Sequence, residues 1–161
     1  GVYKGFEDLM LLGLTDRMPV IVAVQSKGSS NMAKNLFSRD FRVTPSNTIA
    51  DSISVAIPRN FYMARKYLID YAGEILTVSD KDILRASEVL AKNTGLFAEP
   101  AAAAAFAGLL LQKKKGHIAE GTDNVVLLTG SGLKDLKAVA PLLKMPEPVY
   151  PDLDNLKKLI S

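Results

Sequence analysis

Val20-Ile21-Val22-Ala23-Val24-Gln25 is a continuous apolar run, rich in β-branched residues, that follows Pro19. A short run of this kind is typical of a strand buried on both faces of a parallel sheet. Two further runs have the same character, Glu74-Ile75-Leu76-Thr77-Val78 and Asn124-Val125-Val126-Leu127-Leu128-Thr129. The sequence therefore predicts three strands.

Helix signals separate these runs. Apolar periodicity and capping residues predict helices over 2–12, 31–38, 60–71, 80–91, 99–115 and 152–160. Asn60 is a candidate N-cap of the helix over 60–71, and Gly73 is expected to end that helix. Ser79 and Asp82 form an S-x-x-D capping pattern at the start of the next helix. Strands that alternate with helices predict the α/β class, with a small parallel sheet flanked by helices in three layers.

Three strands are few for such a fold. Helical periodicity is already running at the start of the chain, which begins with Gly1 rather than Met. We therefore expect residues 1–161 to be an incomplete half of a larger doubly wound domain. Its core is expected over 1–137, followed by a C-terminal tail and helix over 138–161.

The composition narrows the possible functions. Of the 161 residues, 48% are hydrophobic and 23% charged, which is a globular balance. There is no cysteine and the one histidine is His117, so thiolate and multi-histidine metal sites are excluded. The net charge is only +3 and the lysine run 113–115 suits a helix C-terminus, which argues against a nucleic-acid binder. No apolar run is long enough to span a bilayer, and we expect a cytoplasmic protein.

The third predicted strand leads into Thr129-Gly130-Ser131-Gly132. Ligands of open α/β sheets bind at the carboxyl ends of the strands. A hydroxyl group there can bind a ring nitrogen, and glycines allow the backbone to approach a flat ligand closely. The local pattern alone is also compatible with a plain strand-to-helix turn.

Two other segments carry candidate groups. Glu99 precedes Pro100 and a run of five alanines, so it is either an acid at a helix N-terminus or a carboxylate in a cleft. The segment 47–53 is polar and irregular, and Pro58-Arg59-Asn60 follows it. It is either a binding segment or a surface loop.

Together these segments resemble the threonine synthases, a family of pyridoxal-phosphate enzymes of fold type II. That family carries a T-I-A-D-[SG]-I segment, an alanine-rich F-x-E-P-A helix start and a V-x-L-T-G-x-G-L-K-D turn. The matching residues here begin at Thr48, Phe97 and Val126, in the same order. The resemblance covers nearly the whole chain, and it makes the chain the C-terminal part of the large cofactor-binding domain.

The resemblance implies a function for the whole protein. Threonine synthases convert O-phospho-L-homoserine and water to L-threonine and phosphate, with pyridoxal 5'-phosphate as the cofactor. By motif, Thr129 would bind the pyridine nitrogen, Gly130 and Gly132 would let the backbone pass beside the ring, and Glu99 would lie near the same edge. Pocket-lining positions would be Thr48, Asp51 and Ser52, and no metal is implied.

Some family features are missing from the sequence. The family's serine- and phenylalanine-containing S-x-K segment, which holds the Schiff-base lysine, is not found. Its glycine-asparagine phosphate loop is not found either, and Ser131 stands where histidine is frequent. We therefore expect no catalytic residue in this chain, which alone should be inactive and should not hold the cofactor. The expected partners are the N-terminal half and further copies in a homo-oligomer. A threonine or serine dehydratase and a non-catalytic α/β module remain alternatives.

Overall fold

The computed structural model describes residues 1–142 and 148–160. Its two strands are β1 (Val22–Ser26) and β2 (Glu74–Val78). The helices are α1 (Val2–Leu11), α2 (Asn31–Asn35), α3 (Phe61–Asp70), α4 (Asp80–Thr94), α5 (Pro100–Lys114), α6 (Leu136–Val139) and α7 (Leu153–Ile160). Short 3-10 turns occupy Lys27–Ser29, Asp51–Ile53, Gly132–Lys134 and Ala140–Leu142. No helix in these ranges combines the length and the apolar character needed to cross a membrane.

The sheet is parallel, as predicted. β1 pairs with β2 in a register that runs from Val22 opposite Glu74 to Ser26 opposite Val78. The predicted α/β class is confirmed, with helices packed against a small parallel sheet. β1 begins at Val22, two residues after the start of the apolar run that predicted it. It is also less buried than predicted, since 39% of the Val22 surface is exposed.

The prediction of a third strand at 124–129 is wrong. In the described residues, 124–129 have no regular secondary structure and the sheet has two strands. Val125 is 86% exposed and Leu127 is 59% exposed. An apolar run becomes a strand only when another strand binds its backbone groups, and no described strand lies beside this one.

The core lies between α4, α5 and the sheet. Small buried residues of α5 contact the apolar face of α4. The buried core residues are Ala102, Ala103, Ala104 and Ala107 on α5, and Ile83, Ala86 and Leu90 on α4. α5 also packs on both strands. A Cβ atom added to Gly108 would lie 2.5 Å from a methyl carbon of Val24, so glycine allows α5 to lie directly on β1.

Helix ends follow local chemistry in part. The capping box predicted from Ser79 and Asp82 is present at the start of α4, where each side chain bonds the other residue's backbone N–H. Asn60, the predicted cap of α3, makes no side-chain capping bond. The left-handed residue after α3 is Ala72, with φ of 49°. Gly73 meets a different need, because a Cβ atom there would lie 2.1 Å from the Tyr3 hydroxyl.

We predict that Gly108→Ala destabilises the chain by about 1–3 kcal/mol, as overpacking does in other cores. The added methyl group must displace Val24, and this outweighs the gain in helix propensity of about 0.5–1 kcal/mol. Urea unfolding measures the difference. Gly5→Ala is the matched control, because it lies in α1 with nothing within 4 Å of an added Cβ atom and should be stabilising. Equal behaviour of the two variants would contradict the close packing of α5 on β1.

Candidate functional site

Two of the candidate segments lie side by side. The backbone N–H of Glu99 donates to the Gly130 carbonyl at 3.1 Å, and that of Gly132 donates to the Phe97 carbonyl at 2.8 Å. These bonds form an antiparallel bridge between Ala98 and the residue between the two glycines. The start of α5 is therefore joined directly to the glycine turn.

Both glycines of this turn lie under protein side chains. A Cβ atom on Gly130 would lie 2.1 Å from Glu99 Oε1, and one on Gly132 would lie 2.6 Å from three ring atoms of Phe97. Any larger residue would push these side chains off the turn. Close approach to a ligand ring, the reason suggested by the sequence, stays a prediction.

The turn presents two polar groups. Thr129 is exposed and Glu99 is half-buried. In the described part of the chain, neither the Thr129 hydroxyl nor the Glu99 carboxylate makes a hydrogen bond or an ion pair. Because Glu99 lies across Gly130, one backbone unit away from Thr129, both groups are available to a ligand at this place. The structure thus brings four predicted residues together: Glu99, Thr129, Gly130 and Gly132.

The other three candidates lie in a separate segment. Asp51 and Ser52 sit in an exposed 3-10 turn, and their side chains make no hydrogen bond within the described ranges. Thr48 donates through its hydroxyl to Asp80 Oδ1 at 2.5 Å. None of these three side chains bonds to Thr129 or Glu99 in residues 1–142 and 148–160.

Asp80 holds this segment to the sheet. Its carboxylate accepts from the Ser26 hydroxyl at 2.9 Å, the Thr48 hydroxyl and the backbone N–H of Ile49 at 3.0 Å. Ser26 ends β1, and Asp80 begins α4 two residues after β2 ends. The carboxylate therefore joins the carboxyl ends of both strands to the segment that carries Thr48.

The charge of Asp80 is favoured by these bonds. Burial alone would raise the pKa of Asp80, but the hydrogen bonds from Thr48, Ile49 and Ser26 hold the pKa below its ordinary value of 3.8. A second clamp supports the same segment. The Ser29 hydroxyl donates to the Ile53 carbonyl and accepts from the backbone N–H of Val55, both at 3.0 Å.

Asp80 is a site residue that was not predicted from the sequence, where it stands inside the S-x-x-D capping pattern of residues 79–82. A signal was present, because an acid directly after a parallel strand stands at the ligand-binding edge of such sheets. The role of Phe97 was also missed, since only its contact with Gly132 shows why the ring is there.

Residues 1–130 match the family described as "Pyridoxal-phosphate dependent enzyme". The chain belongs to this family. The suspected resemblance and the expected cofactor of the family are therefore confirmed. Several relatives that match most of the chain carry the name threonine synthase.

Two of these relatives show the extent of the match. The chain is 32% identical to the threonine synthase of Methanosarcina acetivorans over 162 residues, which are 99% of this chain and 40% of that protein. It is 34% identical to the threonine synthase of Mycobacterium tuberculosis H37Rv over 133 residues, covering 83% of this chain and 36% of that protein. The chain thus spans about two-fifths of the length of these curated relatives.

Solved structures agree on the fold. A fungal L-serine ammonia-lyase from Rhizomucor miehei superposes with a TM-score of 0.62 at 22% identity, covering 77% of this chain and 40% of that one. A threonine deaminase from T.th. gives a TM-score of 0.53 at 21% identity, covering 66% of this chain and 38% of that one. Because the sequence identities are this low, the two superpositions show only that the chain shares a fold with these enzymes.

We predict that Asp80→Asn destabilises the chain at neutral pH by about 1–3 kcal/mol, because the buried Ser26 and the half-buried Thr48 and Ile49 lose a charged acceptor. The folded pKa of Asp80 is lowered, so its stabilising effect is present above 3.8 and is lost as the pH falls through the folded pKa. Denaturant unfolding at neutral pH and at about pH 3 should therefore show the variant converging on the wild type in acid.

Asp16→Asn is the control for this experiment, because Asp16 is exposed and bonds no described residue. Hydrogen exchange gives a local readout, since the amide of Ile49 should exchange faster in Asp80→Asn only. A gap between Asp80→Asn and the wild type that stays constant across this pH range would contradict the role given to the carboxylate.

Proposed function

We propose that the whole protein is a threonine synthase and that this chain supplies one wall of its cofactor pocket. The observation that carries the proposal is the turn at residues 129–132, where an unbonded hydroxyl and an unbonded carboxylate lie together beside two glycines. The names of the curated relatives support the same activity.

The residues at this turn suit pyridoxal phosphate. A hydroxyl group can donate to a ring nitrogen without giving up its proton, so Thr129 would hold the pyridine nitrogen neutral. Glu99 would lie near the same edge, and Gly130 and Gly132 would leave room along the backbone. When bound, the cofactor supplies the electron sink for the reaction, while the protein supplies binding and orientation. Thr48, Asp51 and Ser52 would line the pocket on a segment that Asp80 keeps in place.

The remainder of the protein would complete the fold. The apolar segment 124–128 exposes Val125 and Leu127. The matched relative is longer than this chain, which supports the idea that another part of the whole protein covers these two side chains. We propose that an N-terminal part pairs with this segment and brings the cofactor-holding lysine and phosphate loop. Homo-oligomerisation would cover further exposed surface.

The proposed substrate is O-phospho-L-homoserine, which reacts with water to give L-threonine and phosphate. The threonine synthase names of the relatives and the T-G-x-G-L-K-D turn support this choice. A dehydratase is the second candidate, because the fold is shared with an L-serine ammonia-lyase and a threonine deaminase.

A graft tests the function and the role of Thr129 together. The matching segment of the Methanosarcina acetivorans threonine synthase, 40% of that protein, is replaced by this chain. We predict that the graft forms threonine and phosphate from O-phosphohomoserine. Thr129→Val should lower its turnover about tenfold or more, because a cofactor nitrogen loses its partner, whereas Thr129→Ser should retain most of the turnover.

The outcomes of the graft separate the candidates. A folded graft that deaminates threonine and leaves O-phosphohomoserine unchanged would favour the dehydratase. A folded graft that binds the cofactor but has neither activity would overturn the assignment. Equal activity of Thr129→Val and Thr129→Ser would remove the role given to the hydroxyl group.

A second experiment concerns the chain alone. Because no lysine here stands in the family's serine- and phenylalanine-containing S-x-K segment, we predict that the chain retains no stoichiometric pyridoxal phosphate after dialysis. Absorbance spectra before and after dialysis measure retention, with the threonine synthase of Methanosarcina acetivorans handled in parallel. A stoichiometric adduct at one lysine, fixed by borohydride and located by mass spectrometry, would refute the prediction.

A further inference from the structure

A basic cleft lies between α2 and the loop 38–44. Its volume is about 520 Å³, which is within the range of small-molecule sites. Lys34, Arg39 and Arg42 line it together with Asp40 and uncharged polar neighbours. None of the lining residues belongs to the segments of Thr129 or Glu99, so this inference does not rest on the proposed function.

Two buried asparagines shape the loop. Asn35, 2% exposed, accepts from the Arg42 N–H at 2.7 Å and donates to the Arg42 carbonyl at 3.0 Å. Asn31, fully buried one turn earlier on α2, accepts from the Thr44 N–H at 2.8 Å and donates to the Thr44 carbonyl at 2.7 Å. Each amide thus satisfies both backbone groups of one loop residue. Although the loop has no regular secondary structure, its backbone is held in place at Arg42 and Thr44.

The charges of the cleft are not balanced. Three cations face one carboxylate, and within the described ranges none of the three cations pairs with an acid. Lys34 instead donates to the Thr44 hydroxyl at 3.0 Å. Lys92 on α4 differs in this respect, because it pairs with Glu88 at 2.6 Å. The cleft therefore holds an excess of positive charge on a fixed backbone.

We propose that this cleft binds a small, multiply charged phosphate compound. Two arginines can each offer a planar pair of N–H donors to phosphate oxygens, and the lysine adds a third charge. The small volume of the cleft favours a small phosphate ester or diphosphate over a nucleic-acid strand. The chain's small net charge of +3 supports the same choice.

Calorimetric titration of the 161-residue chain with pyrophosphate, at constant ionic strength, tests this proposal. We expect saturable binding with one site. Arg39→Gln and Arg42→Gln should each raise the dissociation constant about tenfold, because each removes charge-assisted hydrogen bonds. Both side chains are exposed, so the variants should unfold at the wild-type temperature; circular dichroism checks this.

The control is the double variant Arg17→Gln/Arg85→Gln, which removes the same charge as Arg39→Gln/Arg42→Gln from exposed positions outside the cleft. The control should change the dissociation constant less than twofold. No saturable binding at millimolar pyrophosphate, or an equal loss in the two double variants, would overturn the proposal. A short single-stranded oligonucleotide that binds more tightly than pyrophosphate and displaces it would overturn the small-ligand class.

Discussion

The close approach of α5 to α4 and to β1 is the constraint on which the rest of the structure depends. It is possible because the buried face of α5 carries alanines and Gly108, which bring backbones together where larger side chains would separate them. Ala50 and Ile53 belong to the same core cluster, so the segment that carries Thr48 is packed against this helix. A longer side chain on α5 would therefore disturb the core and the candidate pocket segment together.

The position of α5 also decides where the functional groups lie. Pro100 fixes the helix start, which leaves Glu99 at its N-terminus with extended backbone, and that backbone pairs with the glycine turn. Glu99 can then lie over Gly130 because no Cβ atom is there. The packing of α5 in the core and two backbone hydrogen bonds thus place the Glu99 carboxylate beside Thr129.

Local chemistry explains which parts were predictable from the sequence. β2 and the capping box of α4 depend on residues within a few positions of each other, and both match the sequence-based prediction. The prediction of a third strand was wrong because strand formation at 124–129 depends on a partner strand that is distant in sequence, which an apolar run cannot reveal. The bond between Thr48 and Asp80 joins residues 32 positions apart, and no periodicity encodes it. The pairing of Glu99 with the glycine turn was suggested only through a family resemblance, since each segment alone had an ordinary structural explanation.

Asp80 joins the carboxyl edge of this sheet to the segment that carries Thr48. Removing part of a carboxylate from water is costly unless its oxygens are bonded, and three donors from two separate segments offset that cost at the half-buried Asp80. An uncharged residue of similar shape could fill the space but would accept fewer bonds and leave the edge less firmly joined. The same bonds support the core, because Ala50, which is fully buried in the cluster with α4 and α5, directly follows Ile49. The carboxylate therefore stabilises the fold and at the same time keeps residues 48–53, the proposed pocket segment, in one position.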